Sequence, residues 1–236
     1  MPKTFKHSGD LGDIIFALPT VRALGGGILY LDPDGGFSSP LTKIADKVRT
    51  KLTATLIESF RPLLLQQSYI AEVREWHGEV VDHDLDEFRR HLRVNNLSDS
   101  HLAAFNLPLS ERDMAWLNVS EPIVIEGRPI VINRSVRYQG NHVFWEMSLP
   151  KMKETAVFVG YAKEHEIFEY TFGHEVKYYP TPDILSLARV IAGGRKFVGN
   201  SSFPHAIAEG MKKDLVCEVF RVAPNTIFKR AGAQYA

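Results

Sequence analysis

The sequence predicts an α/β protein built from two parallel sheets, one in each half of the chain. Three observations carry this. Short apolar runs alternate with segments whose apolar residues recur at helical spacing. The alternation starts at the N-terminus and resumes after a change of composition near residue 125. Strand, helix, strand in that order makes a βαβ unit, and βαβ units make parallel sheets. The length of 236 residues fits one or two domains at about 100–200 residues each.

The elements follow in order. Thr4–Ser8 is a strand, followed by the turn Gly9-Asp10-Leu11-Gly12-Asp13. A helix over Asp13–Leu24 places Ile14, Ala17, Leu18, Val21 and Leu24 at helical spacing. Gly25-Gly26-Gly27 stops it, and Ile28–Asp32 is a buried strand. Thr50–Gln67 reads as a helix and Tyr69–Trp76 as a strand. Asp84–Leu92 is charged and reads as an exposed helix. Leu97–Leu107 and Ser110–Trp116 are short helices, Ser110 capping the second with Glu111–Asp113 at its positive end. Ile123–Ile125 and Ile130–Ile132 are apolar and β-branched. Strands at Ala156–Gly160, Val176–Tyr179, Lys196–Gly199 and Leu215–Val219 then alternate with helices over Lys163–Phe172, Thr181–Ala192 (capped by Thr181) and Phe203–Met211. The expected architecture is therefore two Rossmann-like parallel-sheet domains, 1–125 and 126–236, facing across a cleft.

Composition narrows the function classes. Lys+Arg and Asp+Glu both total 28, so the formal net charge is zero. Net charge therefore gives no indication of nucleic-acid binding. A 44% hydrophobic content supplies an ordinary core. The single cysteine, Cys217, cannot form an internal disulfide, which suits a reducing compartment. No apolar run approaches the ~20 residues that span a bilayer, and the N-terminus has no apolar signal-peptide core. The expectation is a cytosolic protein without stable membrane insertion.

Open α/β sheets bind ligands outside the carboxyl ends of their strands, and four loops qualify. The first, Gly9–Asp13, carries two carboxylates that would repel a phosphate at short range. Asp13 or Asp10 suits proton abstraction from a neutral hydroxyl; helix capping is the alternative for both. The second, Asn133–Tyr138, offers Arg134, Arg137 and Ser135 to a diphosphate through charge-assisted hydrogen bonds; a solvated basic loop is the alternative. Trp145 nearby reads as packing before base stacking. The third, Gly199–His205, joins a strand to a helix with Pro204 in its first turn. Its amides, Asn200, Ser201, Ser202 and His205 can face an anion; N-capping by Asn200 or Ser201 with His205 in the packing is the alternative. The fourth, Tyr161–Glu166, holds a carboxylate, Glu166, able to accept from a ribose or a base; it serves equally as the acidic first turn of a helix.

No metal or cofactor is expected. Histidines lack zincin spacing and there is no Cys-x-x-Cys. Neither a Walker-type Gly-Lys-Ser/Thr nor a Gly-x-Ser-x-Gly elbow occurs.

Gly9-Asp10-Leu11-Gly12-Asp13-Ile14-Ile15 with Leu18-Pro19-Thr20-Val21-Arg22-Ala23-Leu24 resembles the opening of the ADP-heptose:lipopolysaccharide heptosyltransferases, glycosyltransferase family 9. Phe197–Ala208 resembles that family's glycine–aspartate–serine/threonine–glycine-x-x-histidine segment, and Ile132–Trp145 occupies the place of its basic, tryptophan-ending loop. The resemblance implies a GT-B fold, a nucleotide-diphosphate-sugar donor, a hydroxyl acceptor of unknown identity, and metal-independent inverting transfer. Asp13 then matches the general base, and Ser201, Ser202 and His205 match the donor-diphosphate segment. Asn200 stands where the family has aspartate, Ser202 where it has glycine, and the chain is shorter than typical members. A catalytically inactive nucleotide or nucleotide-sugar binder is the competing expectation, and an epimerase or hydrolase a third.

Overall fold

The computed structural model describes residues 2–35, 52–92, 96–222 and 224–236. The chain divides into two units, Met1–Asn118 and Val119–Ala236.

In the N-terminal unit β1 (Lys3–His7), β2 (Gly27–Leu31), β3 (Ile70–Glu75) and β4 (His83–Asp84) form a parallel sheet in the order β3-β2-β1-β4. All five residues of β2 are buried, as expected of a parallel strand covered on both faces. Helix α1 (Leu11–Ala23) is buried from Ile14 through Val21, and Ser98 donates to the Phe16 carbonyl at 2.9 Å to tie it to α3 (Leu97–Ala104). The glycine run after α1 is a steric necessity at Gly26. Its φ is +71°, and a Cβ there would lie 2.1 Å from the Tyr69 carbonyl oxygen. Helix α2 (Ala54–Leu64) is capped by Thr53, whose hydroxyl accepts from the Leu56 amide at 3.2 Å; the expected start at Thr50 lies outside the described residues.

The C-terminal unit carries β5 (Ile130–Asn133), α4 (His142–Met152), β6 (Ala156–Phe158), α5 (Ala162–Phe172), β7 (Lys177–Tyr178), α6 (Ile184–Gly193), β8 (Lys196–Asn200), α7 (Phe203–Gly210), β9 (Asp214–Glu218) and β10 (Ala233–Tyr235). Its sheet is parallel in the order β10-β9-β8-β5-β6-β7. On one face Trp145 meets Phe168 edge-on, with centroids 5.0 Å apart, over Ile132, Phe158 and Val198.

Both units share one winding rule. Strands step outward on one side of the first strand, and the chain then returns to that strand's other side. The order reverses between β1 and β4 in one unit and between β5 and β8 in the other, which are the places where doubly wound sheets receive ligands. The α/β, Rossmann-like expectation holds for each unit.

Several local expectations change. Asp84–Leu92 is not an exposed α-helix: Leu85–His91 is a 3₁₀ segment with Leu85 and Phe88 buried. Ser110–Trp116 reduces to a 3₁₀ turn, Leu109–Arg112, whose cap position is Pro108, and Trp116 is buried. Asp183, not Thr181, caps α6, accepting from the Ser186 amide at 2.6 Å. Leu215–Val219 is not the last strand, because β10 pairs beside it.

Candidate functional site

The β1/β4 switch point of the N-terminal unit is built on the turn after His7. Asp10 holds the N-cap position of α1, yet its side chain makes no capping hydrogen bond. Asp13 lies in the first helical turn and is partly exposed. Both acids sit where the helix dipole favours negative charge. Gly9 is pinched between two side chains: a Cβ there would lie 2.5 Å from His7 Cε1 and 3.0 Å from Asp13 Oδ2. The Gly9 amide donates to His7 Nδ1 at 2.8 Å.

A charged lattice supports this turn. Lys6 Nζ lies 2.9 Å from Asp86, 3.4 Å from Asp84 and 3.7 Å from Asp32. Burial works against its ammonium, but Asp86 and then Asp84 outweigh it and hold the Lys6 pKa above the ordinary value. Asp86 accepts from the Ser8 amide at 3.1 Å and pairs with Arg89. Burial alone would raise its pKa; the surrounding positive groups and hydrogen bonds from Ser8 and Lys6 depress it instead. His7 and His101 are fully buried with ring centroids 5.2 Å apart, and Phe88 stacks on His101 at 4.0 Å. Burial pushes the His7 pKa down to about 4, against the pull of Asp86, so the ring is neutral at pH 7.

At the β5/β8 switch point of the C-terminal unit, the second and third loops meet. Asn200, fully buried, accepts from the Ser135 amide at 3.0 Å and donates to the carbonyls of Ser135 at 2.9 Å and Arg137 at 2.5 Å. One side-chain amide thus clamps the 134–138 loop to the end of β8. Ser202 stands at the N-cap of α7 and donates to Asn133 Oδ1 at 3.1 Å. Ser201 is buried and accepts from the Thr226 hydroxyl at 2.8 Å.

Arg134 does not face outward. Its guanidinium forms a fork to Glu218, 2.8 and 3.0 Å long, with both side chains buried. Glu218 also accepts from Trp145 Nε1 at 2.7 Å and from the amides of Gly140 at 2.6 Å and Asn141 at 2.8 Å. Burial would raise its pKa, but Arg134 and Trp145 outweigh that and hold the carboxylate ionised. Trp145 is accordingly a packing residue. Arg137 remains partly exposed, its guanidinium over the Tyr138 ring at 4.8 Å and bonded to the Tyr138 hydroxyl at 2.9 Å. Tyr138 has φ +54°, a left-handed conformation uncommon for a bulky residue.

His205 is fully buried, edge-on to Tyr235 at 6.4 Å, and burial lowers its pKa to about 4. A neutral imidazole brings no positive charge to an anion. Glu166 is exposed and paired with Lys163 at 2.9 Å. The carboxylate of its loop that reaches the site is Glu164. It is bonded by Asn133 and the Val136 backbone, and burial raises its pKa.

Sequence reasoning missed Glu164, Glu218, His7 and Asp86. For Glu218 the available signal was its place after the apolar run of β9, and for His7 its place at the end of β1 just before the glycine turn; Asp86 reaches that turn only through a tertiary contact with the Ser8 amide.

These features define a protein of two doubly wound parallel α/β units, each with polar loops at its switch point. That fold is the one seen in solved family 9 glycosyltransferases. The chain is similar to E. coli heptosyltransferase WaaC with ADP at 9% identity and TM-score 0.64, covering 100% of this chain and 93% of that one. Against E. coli ADP-heptose lps heptosyltransferase II the values are 13%, 0.57, 100% and 90%. Against the family 9 glycosyl transferase of Veillonella parvula DSM 2008 they are 10%, 0.56, 99% and 84%. No protein-family model matches the sequence, and no curated protein matches it.

Proposed function

We propose that the chain is a glycosyltransferase that moves a sugar from a nucleotide-diphosphate-sugar to an acceptor hydroxyl with inversion and without a metal. The supporting observation is the β5/β8 switch point, where Asn200 draws the Ser135–Arg137 loop against the start of α7. In this reading the C-terminal unit holds the donor. Arg137, the Ser202 hydroxyl and the first amides of α7 bind the diphosphate, and Glu164 accepts from the nucleoside. Arg134 acts one layer back, keeping its loop in place through Glu218. The N-terminal unit serves the acceptor. Asp13 takes the hydroxyl proton as the oxygen attacks the anomeric carbon, and charge grows on the departing diphosphate. Preorganised donors at the diphosphate supply several kcal/mol of transition-state stabilisation. The likeness to WaaC, solved with ADP, supports an adenine nucleotide as the first ligand to try.

ADP should raise the melting temperature, because a ligand selective for the folded state stabilises it. ADP-heptose should release ADP slowly with water as acceptor. Asp13→Asn should keep ADP binding and lose release. Turnover of Asp13→Asn at the parental rate refutes the base. ADP binding by the parent without any release favours the inactive binder, for which the replacement of aspartate by Asn200 is the specific observation.

A further inference from the structure

We infer that His7 is a positioning residue that sets the Gly9 turn beneath Asp13. The inference rests on the reading of Asp13 as the base. His7 ends β1 and is fully buried. Its Nδ1 accepts the Gly9 amide at 2.8 Å, so the ring proton sits on Nε2. That Nε2 is buried and finds no hydrogen-bond partner among the described residues. An unsatisfied buried donor is costly, and an apolar side chain would fill the same space without that cost. What an apolar side chain cannot do is accept the Gly9 amide.

The sterics point the same way. The space above Gly9 is closed by His7 Cε1 on one side and by the Asp13 carboxylate on the other, at 2.5 and 3.0 Å from where a Cβ would stand. Backbone at Gly9 is therefore the spacer that transmits the ring's position to the carboxylate. The ring in turn is wedged by His101 at 5.2 Å and Phe88 at 5.7 Å, with Asp86 Oδ1 3.7 Å from Nδ1. Arg89 and Lys6 complete the charged surroundings through Asp86.

Two measurements test this on the full chain. In the first, ¹⁵N NMR of the imidazoles in the unaltered protein should show His7 protonated on Nε2 and bare on Nδ1, with a slowly exchanging Gly9 amide. Protonation on Nδ1 overturns the inference. In the second, ADP release from ADP-heptose is followed in variants. His7→Leu should lower kcat about 100-fold, the cost of misplacing a reacting group by about 1 Å, with the Kd for ADP unchanged. His7→Asn, which carries an acceptor at the same remove from the backbone as Nδ1, should recover most of the rate at a melting temperature matched to His7→Leu. A parental kcat in His7→Leu overturns the inference, and so does an equal loss in Leu and Asn variants. Failure of the base reading is separate: there Asp13→Asn itself turns over normally.

Discussion

Replacing Asn200 by aspartate, the residue of the resembled family segment, should break the loop that the asparagine now holds. The Asn200 amide group donates to two carbonyls, at 2.9 and 2.5 Å, in a site with no solvent exposure. A carboxylate turns both contacts into oxygen facing oxygen and leaves both carbonyls short of a donor. At about 1–3 kcal/mol for each of the two buried groups left unsatisfied, Asn200→Asp should cost the C-terminal unit about 2–6 kcal/mol. The sign with pH follows from the same contacts. Only the protonated acid can donate, so its folded pKa rises above the unfolded value of ~3.9. Its relative stability is then best at low pH. It falls by about 1.4 kcal/mol per unit as pH rises from there toward the folded pKa. Urea unfolding at pH 5 and pH 8 of parent and variant that both carry Trp76→Phe and Trp116→Phe, followed by fluorescence of the buried Trp145, measures the difference. A variant within about 1 kcal/mol of the parent, with a difference that does not change between the two pH values, refutes the account of Asn200 as a clamp.

Further predictions concern the neighbours. Glu218→Gln leaves the buried Arg134 guanidinium without its countercharge and should cost about 3–5 kcal/mol. The depressed folded pKa of Glu218 also means that its contribution is present above ~4.3 and lost as pH falls through the folded value; equal acid sensitivity of parent and variant by urea titration would contradict this. His205, at about 4 when folded against ~6.5 unfolded, contributes stability above ~6.5 that declines toward pH 4. His205→Leu should therefore flatten the acid limb of the C-terminal unit by about 3 kcal/mol, and an unchanged limb in differential scanning would sink the assignment. Gly9→Ala places a methyl 2.5 Å from the His7 ring. It should destabilise the N-terminal unit by about 1–3 kcal/mol and depress ADP release while ADP binding persists, as calorimetry and nucleotide release would show.

The parts of the fold legible in the sequence are those set by burial. Ile28–Leu31 and Phe197–Val198 read as strands because both faces of a parallel strand are covered and only apolar residues suit them. The strand Ala233–Tyr235 was not legible: three residues with an exposed glutamine between them carry no apolar run, and their pairing with β9 is a tertiary matter. The 3₁₀ segment at Leu85–His91 misled for a related reason. Its charges outnumber Leu85 and Phe88, but those two side chains decide which way it faces. Within the candidate site, loop positions followed from strand ends, while side-chain directions did not. Glu164 and Glu166 are both acids in one turn of helix; helical geometry sends one inward and the other to Lys163. Arg134 and Arg137 likewise read alike, and only the buried Glu218 separates them.

The shortest strand of the N-terminal unit has one further consequence. β4 shares a ladder of two residues with β1, too few to hold it by backbone alone. Its fastening comes from side chains instead: Asp82 receives the Thr4 amide and hydroxyl at 2.8 and 2.9 Å, and Asp86 receives the Ser8 amide at 3.1 Å. A seam stitched by carboxylates loosens with protonation and ionic strength where a seam of backbone hydrogen bonds would not. Deuterium should therefore enter the 82–92 stretch well before the interior strands β1 and β2, so that solution conditions unzip this margin of the sheet ahead of its centre.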